Sequence, residues 1–531
     1  MTVPATGRFN AAEYLLGGGR PDAPAVVSAR RTLSYAELTA EVHRFASGLR
    51  TLGVRPEERV MLCLVDDVEL LTGILGTMLA GAVAVPVSTM VTGLELGRVL
   101  ADSRARVLAV SGEFAGPAVA ALGVAPEVTD VLLDRADPAQ FPSRVRAHHW
   151  AEVTAARDPD LAPARTGEDS PALWLYTSGT TGQPKGAMHR HASIRAVCET
   201  YARHILETTP EDRFLSVPKL FFAYGLGNSA FFPLAAGGTT LLEPARPTPE
   251  LFAARAKADR PTLFFGVPTF FAAVLASEVP DDSFASVRCA VSAGEPLPAG
   301  IFERFRDRFG VAVLDGIGST EALHIFLSNR PGAIRPGSTG VAVPGYEVQL
   351  RDEAGALIEA NGQAGELFVS GPSTASGYWA RYEATKRVFQ GEWLRTGDSY
   401  LRNEDGTYTC LGRFGDMMKS GGIWVSPSEV EERLLEHPAV AEVAVVSAPD
   451  SDGLDKPVAC VVAAPRQRVD ADELIEFCRA GLAAFKRPRG VVELAELPKT
   501  ATGKVRRNVV RELVRESLVA GAAPAVIDWR A

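Results

Sequence analysis

Cysteine is sparse in this chain. Six occur in 531 residues (Cys63, Cys198, Cys289, Cys410, Cys460 and Cys478), and none forms a C-x-x-C pair. That spacing disfavours a disulfide framework or a cysteine zinc site and suits a reducing, cytoplasmic compartment. Excess positive charge is also missing. Lys and Arg number 55 against 64 Asp and Glu, giving a net charge of −9 with the basic residues dispersed. No electrostatic footprint for nucleic acid is present. The opening MTVPATGRFNAAEYLLGGGRPD has no apolar run between a basic start and a cleavage site, so no secretory leader is expected there. The stretch 70–94 carries no charge, but Gly73, Gly76, Gly81 and Pro86 interrupt it. It reads as a buried helix followed by a buried strand rather than as a membrane span. Internal repeats and low-complexity segments are absent as well.

What is present is an ordinary globular composition, 46% hydrophobic and 22% charged, in a chain longer than one core usually serves. Strand-like runs at 59–66, 105–112, 262–268, 287–295 and 311–321 end in Gly/Ser-rich turns, and a helical segment at 297–310 separates the last two. Strand, glycine-rich turn, helix and strand in this order predict parallel α/β layers, whose ligands bind at the carboxyl ends of the strands. After Arg335 the pattern changes to turn-separated antiparallel strands. From about Leu411 a smaller α+β unit is expected, with helices at 426–438 and 470–485. LGRFGDMMKSGG (411–422) is the linker candidate.

The stretch YTSGTTGQPKGAMHRH (176–191) gathers Gly179, Gly182, Gly186, the hydroxyls of Thr177, Ser178, Thr180 and Thr181, and Lys185. Glycine admits backbone amides close to an anion, hydroxyls donate and lysine adds charge, so this is a phosphate-binding loop candidate. It is not a P-loop, because Pro-Lys-Gly stands where Gly-Lys-Ser/Thr is required. Gly503-Lys504 fails the same template.

Taken in order, TSGTTGQPKG, SAGEPLP, DGIGSTE, LRTGD, LGRFGD and PKTATGK resemble the motif set of the adenylate-forming superfamily. That superfamily includes acyl- and aryl-CoA ligases, carrier-protein adenylation domains and luciferases, and the resemblance covers nearly the whole chain. It implies a large N-terminal domain of stacked α/β layers with a small β-barrel-like subdomain (1–411), and a small mobile α+β domain (412–531). It also implies two half-reactions. A carboxylate attacks the α-phosphate of Mg-ATP to give an acyl-adenylate and pyrophosphate, then a thiol such as coenzyme A displaces AMP.

Roles follow from the resemblance residue by residue. Thr177, Ser178, Gly179, Thr180, Thr181, Gly182 and Lys185 would hold the β- and γ-phosphates. Gly294, Glu295, Pro296, Asp315, Gly316, Ile317 and Ser319 would frame the adenine side. Thr320 would contact the α-phosphate and Glu321 would hold Mg²⁺, a hard cation suited to carboxylate and phosphate oxygens. An acidic charge opening a helix is the ordinary alternative for Glu321. Asp398 would accept the ribose hydroxyls and Arg413 would pair with the ribose or a phosphate. Lys504 would neutralise the charge that develops in adenylation. Lys419 matches a lysine that serves the second half-reaction in part of the superfamily, and Gly421 and Gly422 would border the coenzyme A tunnel. Gly415 departs from the usual Asp or Lys hinge. It and Asp416 are the hinge candidates.

VPKLFFAYGLGNS (217–229) and DGIGSTEALHIFLSN (315–329) resemble the benzoate-CoA ligase branch. Ala223, Tyr224, Ala293, Gly294, Gly318, His324 and Ile325 would form a flat slot for a planar ring, with Phe222 as an aromatic gate. His324 could donate to the carboxylate or to a ring substituent, or be a core histidine bonded to backbone. The expected substrate is benzoate or a small hydroxy- or aminobenzoate, passed to coenzyme A. Delivery to a phosphopantetheinyl carrier protein and a catalytically inactive nucleotide-binding relative are the alternatives.

Overall fold

The uncharged run folds as a helix, Val68–Leu79, started by the Asp67 side chain, followed by the strand Val83–Pro86. Both elements are buried on every side, which is why the run can dispense with charge. The computed structural model describes residues 7–155, 161–178, 184–414, 416, 418–420, 423–449, 455–482, 486–499, 505–520 and 525–527. Among them no helix is long and apolar enough to cross a membrane.

Two large sheets organise the first four hundred residues. A seven-stranded sheet carries Arg59–Cys63 near its centre and ends in the antiparallel hairpin Pro171–Ser178/Pro184–Arg190. A nine-stranded sheet has a parallel centre containing Arg213–Ser216, Leu263–Gly266, Cys289–Ala293 and Val313–Gly318, then turns antiparallel at Ile325–Ser328. Strand alternation divides the core. Val60 and Leu62 join one apolar cluster with Phe214, Phe265 and Val291 of the other sheet, while Met61 and Cys63 face a second cluster on the outer side. The outer face of the nine-stranded sheet buries Leu215, Phe264 and Ala290 against the helices Pro249–Asp259, Pro268–Ala276 and Ala299–Phe309. The expected strands and the expected helix at 297–310 are therefore present. The helix closes at Gly310, which takes a left-handed φ of 71°.

A five-stranded antiparallel sheet follows, built from Glu347–Arg351, Ala364–Ser370, Phe389–Gln390, Trp393–Arg402 and Tyr408–Arg413. Its last strand runs through Arg413, just beyond position 411. The smaller α+β unit has its own four-stranded sheet and two apolar clusters of its own. Its helices Pro427–Leu435, Ala471–Gly481 and Arg507–Ala520 flank that sheet. The two units touch where the Ser426 hydroxyl donates to the Leu411 carbonyl at 2.5 Å.

Phe264 packs against the rings of Phe252, Phe270, Phe271 and Phe284, with centroids 5.0–6.3 Å away. Its truncation to alanine leaves a cavity beneath the parallel strands, at a cost of about 3–5 kcal/mol. Urea unfolding followed by circular dichroism should show a clearly lowered midpoint. An unchanged midpoint would show that this cluster does not hold the sheet.

Candidate active site

The site is organised around the turn 319–324, which joins Val313–Gly318 to its antiparallel partner Ile325–Ser328. Three consecutive carbonyls of this turn are held from outside. Thr320 O accepts from His189 Nε2 at 2.8 Å, Glu321 O from Ala375 N at 2.8 Å, and Ala322 O from Ser373 Oγ at 2.6 Å. Within the turn, Ser319 Oγ accepts from Ala322 N. Leu323 is buried with a φ of 68°, a conformation β-carbon-bearing residues seldom keep without such restraint. Burial pushes the His189 pKa down to about 4. The ring is therefore neutral at pH 7, and its Nε2–H donates to the carbonyl.

Glu321 emerges from this turn with its carboxylate Oε1 accepting from the Tyr378 hydroxyl at 2.5 Å. Lys185 Nζ lies 5.5 Å from the centre of the same tyrosine ring. Lys185 stands opposite Thr177 in the hairpin whose tip is the phosphate-loop candidate. Gly179, Thr180, Thr181 and Gly182 at that tip fall outside the described residues, as does the side chain of Ser178. No group of three or more His, Cys, Asp or Glu residues could hold a metal among the described residues. Glu321 alone thus fits a cation completed by substrate oxygens and water, the usual situation of Mg²⁺ beside a nucleotide.

Neighbouring parallel strands frame the adenine candidates, with Ser292 opposite Asp315, Ala293 opposite Gly316, and Gly294, Glu295 and Pro296 following. Asp315 is buried, and desolvation raises its pKa well above the usual carboxylate range. Its Oδ1 and the Ser292 hydroxyl are buried without partners among the described residues. Unused oxygens at the end of a parallel sheet fit an amine-bearing base. Asp398 and Arg413 pair across adjacent strands, Oδ1 to Nη1 at 3.1 Å, and Arg413 also donates to Thr396 O at 3.0 Å. The Asp398 charge raises the Arg413 pKa. Arg413 is largely exposed, whereas Asp398 is recessed, so a carboxylate and a guanidinium meet at the lip of the cleft.

The aryl-acid candidates converge on His324. Phe222 precedes the helix Ala223–Leu226, which runs directly into a π-helical turn, Gly227–Phe231. The Tyr224 hydroxyl donates to Val291 O at 3.1 Å. His324 is 3% exposed, packs edge-on against Phe232 at 4.5 Å, and has its pKa driven down to about 3 by burial. Its Nε2 lies 3.2 Å from Asn228 Oδ1, and the Asn228 amide donates in turn to Ser216 Oγ at 3.3 Å. That chain places the proton on Nε2 and commits it to Asn228. The expected donation by His324 to substrate therefore does not come from this nitrogen. The Tyr224 backbone also interacts with this buried ring, which agrees with the alternative of a core histidine. Two glycines make room. A β-carbon on Gly227 would stand 2.2 Å from the His324 ring, and one on Gly318 would stand 2.4 Å from the His324 carbonyl. Ile325 is buried against Gly316.

Several positioning groups carry no sequence signature. Asp66 accepts from Leu220 N at 2.7 Å and lies 3.7 Å from Lys219 Nζ, fixing the 217–222 segment that leads to Phe222. Burial raises the Asp66 pKa to about 6. His189, Asn228, Ser373 and Tyr378 belong to the same class. They reach the site across long stretches of chain.

On the smaller unit, Asp416 lies 3.8 Å from Arg507 and 3.5 Å from Arg511. Lys419 stands opposite Trp424 in the two-stranded ribbon Met418–Ser420/Ile423–Val425. Glu432 of the helix Pro427–Leu435 is pushed up to about 7, chiefly by burial and then by neighbouring glutamates, and its charge acts on Asp315. Gly415, Gly421, Gly422 and Lys504 lie outside the described residues.

Residues 17–379 match the family model of the AMP-binding enzyme, and residues 429–504 match that of the AMP-binding enzyme C-terminal domain. A benzoate–CoA ligase of Thauera aromatica is 42% identical over 95% of this chain and 96% of its own length. The crystal structure of a benzoate CoA ligase from Burkholderia xenovorans superposes with a TM-score of 0.88 at 42% identity, covering 95% of this chain and 100% of that one. An anthranilate CoA ligase in complex with anthranoyl-AMP gives a TM-score of 0.91 at 35% identity, covering 97% and 98%. The two-unit architecture and these matches lead to one conclusion: the chain belongs to the AMP-binding enzyme family, within its benzoate–CoA ligase branch.

Proposed function

We propose that this protein is an AMP-forming aryl-acid:CoA ligase that activates benzoate or a small hydroxy- or aminobenzoate. The observation that carries this reading is the single turn 319–324. In this reading Thr320 and Glu321 serve the nucleotide, and His324, packed closely on Gly227 and Gly318, borders the acid slot. A carboxylate seated in that slot faces the α-phosphate of an ATP held between Asp315 and Asp398. Similarity to ligases named for benzoate and anthranilate, over almost the full chain, supports the same substrate class.

In the first half-reaction a carboxylate oxygen bonds to the α-phosphorus and pyrophosphate leaves. Lys185 and the 177–182 loop bind the departing phosphates, Asp398 with Arg413 fixes the ribose, and Lys504 balances charge at the α-phosphate. Glu321 would hold Mg²⁺, which when bound neutralises phosphate oxygens. In the second, the coenzyme A thiolate attacks the acyl carbon and AMP leaves. Lys419 and the Gly421–Gly422 stretch serve that step, and the unit beyond Arg413 moves as a lid about Gly415 and Asp416. Asp416 is positioned to lock one lid state through Arg507 and Arg511. Six unpaired cysteines suit a cytoplasmic setting.

Substrate-dependent ATP–pyrophosphate exchange with a panel of aryl and alkyl acids tests the reading, followed by product analysis with coenzyme A. Benzoate-sized acids should be activated far better than octanoate, and the aryl-CoA should accumulate. Equal use of octanoate would refute the substrate class. Adenylate formation without thioester would favour a carrier protein as acceptor.

Lys504→Ala should lower adenylation by roughly two to three orders of magnitude while sparing thioester formation from supplied aryl-adenylate. Equal losses in both half-reactions would remove Lys504 from the first step.

Gly227→Ala drives a methyl into the His324 ring. It should reduce kcat/KM for the aryl acid by about tenfold to a hundredfold and leave the KM for ATP unchanged. Equal losses for both substrates would mean that the ring does not shape the acid slot.

A further inference from the structure

Tyr378 contacts two groups that the proposed reaction needs, Glu321 through its hydroxyl and Lys185 through its ring, and its segment is held by several hydrogen bonds. Its segment adds to the return strand of the phosphate hairpin. Ser376 N donates to Met188 O at 2.9 Å, Met188 N to Gly377 O at 3.0 Å, and Trp379 N to Gly186 O at 2.9 Å. Tyr378 itself bridges to Ala187, two positions from Lys185. The next residue, Trp379, packs on Trp174 with centroids 4.8 Å apart and donates its indole N–H to Asp102 O at 2.9 Å. The Asp102 carboxylate in turn accepts from Tyr176 at 2.7 Å and from Arg381 at 2.5 Å. Asp102 therefore holds both the outgoing strand of the hairpin, through Tyr176, and the segment that carries Tyr378.

The result is a tyrosine with two uses. Its hydroxyl donates to one oxygen of Glu321, which orients that carboxylate and leaves Oε2 for a cation. Its ring takes the Lys185 ammonium at 5.5 Å, which keeps that charge beside the phosphate loop and away from the Glu321 carboxylate. Without this side chain, the Lys185 ammonium loses the ring beside it and the Glu321 carboxylate loses the hydroxyl that orients it. We propose that Tyr378 is a positioning residue that holds Glu321 in its cation-binding orientation and Lys185 in its phosphate-binding one. This rests on the reading of Glu321 as the Mg²⁺ carboxylate.

The test is Mn²⁺ binding, followed by electron paramagnetic resonance, to the full-length enzyme saturated with α,β-methylene-ATP, which cannot transfer its adenylyl group. Metal-free affinity for the same analogue is measured in parallel by calorimetry in EDTA. Tyr378→Phe removes one oxygen and keeps the ring. It should weaken Mn²⁺ about tenfold, as loss of a partner to a metal ligand typically does, with metal-free nucleotide affinity and melting temperature unchanged. Tyr378→Leu should weaken Mn²⁺ similarly and also lower metal-free nucleotide affinity, because Lys185 loses its ring. Glu321→Gln separates the two readings. If it weakens Mn²⁺ while Tyr378→Phe does not, the tyrosine has no positioning role and the proposal falls. If Glu321→Gln leaves Mn²⁺ unchanged, the metal assignment falls and takes this inference with it. Tyr378→Leu matching Tyr378→Phe in EDTA would remove the lysine half of the proposal.

Discussion

Everything in this cleft depends on the restraint of one short turn. In the proposed function residues 319–324 supply the groups for the nucleotide, the cation and the aromatic acid, yet a hairpin turn with Leu323 at a φ of 68° has no intrinsic reason to keep one shape. The shape is imposed by His189, Ala375 and Ser373, each satisfying one successive carbonyl. A buried carbonyl left unpaired costs about 1–3 kcal/mol, so these bonds together outweigh the strain of order 1–3 kcal/mol at a single left-handed residue. The donors come from the phosphate hairpin and from the segment before Tyr378. The turn is thus fixed relative to both large sheets at once. Preorganisation of this sort lets charge develop in a transition state without rearranging the groups that meet it.

The electrostatics follow the same economy. A nucleotide brings several negative charges into a cleft that already contains Asp315, Asp398, Glu321 and Glu432. Burial answers part of the conflict, since Asp315 is raised well above the usual carboxylate range and Glu432 to about 7. Both groups favour their neutral forms. For Glu432 the sign is definite. A raised carboxyl stabilises the packed state fully below its unfolded pKa, and that contribution is lost as pH climbs from about 4.5 toward 7. Asp398 instead pairs with the guanidinium of Arg413, 3.1 Å away.

How much of this was legible in the sequence depends on range. The uncharged stretch 70–94, the parallel strands and the glycine turns were readable because period and punctuation are local. Ser292 and Asp315 fall together because consecutive parallel strands place their carboxyl ends side by side. His189 was not readable as a support for Thr320, nor Tyr378 for Glu321, nor Asn228 for His324. These pairs are 131, 57 and 96 residues apart. The first is a side chain meeting a backbone carbonyl, which leaves no pattern in residue types at all. The π-helical turn at Gly227 was hidden for a related reason. Only the presence of the His324 ring explains why a side chain is not tolerated there.

That ring also bears on how the slot distinguishes one aryl acid from another. A histidine with a free N–H would discriminate strongly, because a buried donor left unpaired by the wrong substrate is costly. Here the Nε2 proton is already spent on Asn228, whose own amide is spent on Ser216. The other ring nitrogen, Nδ1, is buried without a partner among the described residues, so only the Nε2 side of the ring is closed to a substrate. Discrimination by shape remains, through Tyr224, the Gly318 floor and the Ile325–Gly316 contact, and shape separates close analogues by only ~1–3 kcal/mol per methylene-sized difference. Under the proposed function, shape then grades small ring substituents, and Nδ1 of His324 is the polar atom of that ring left to select among them.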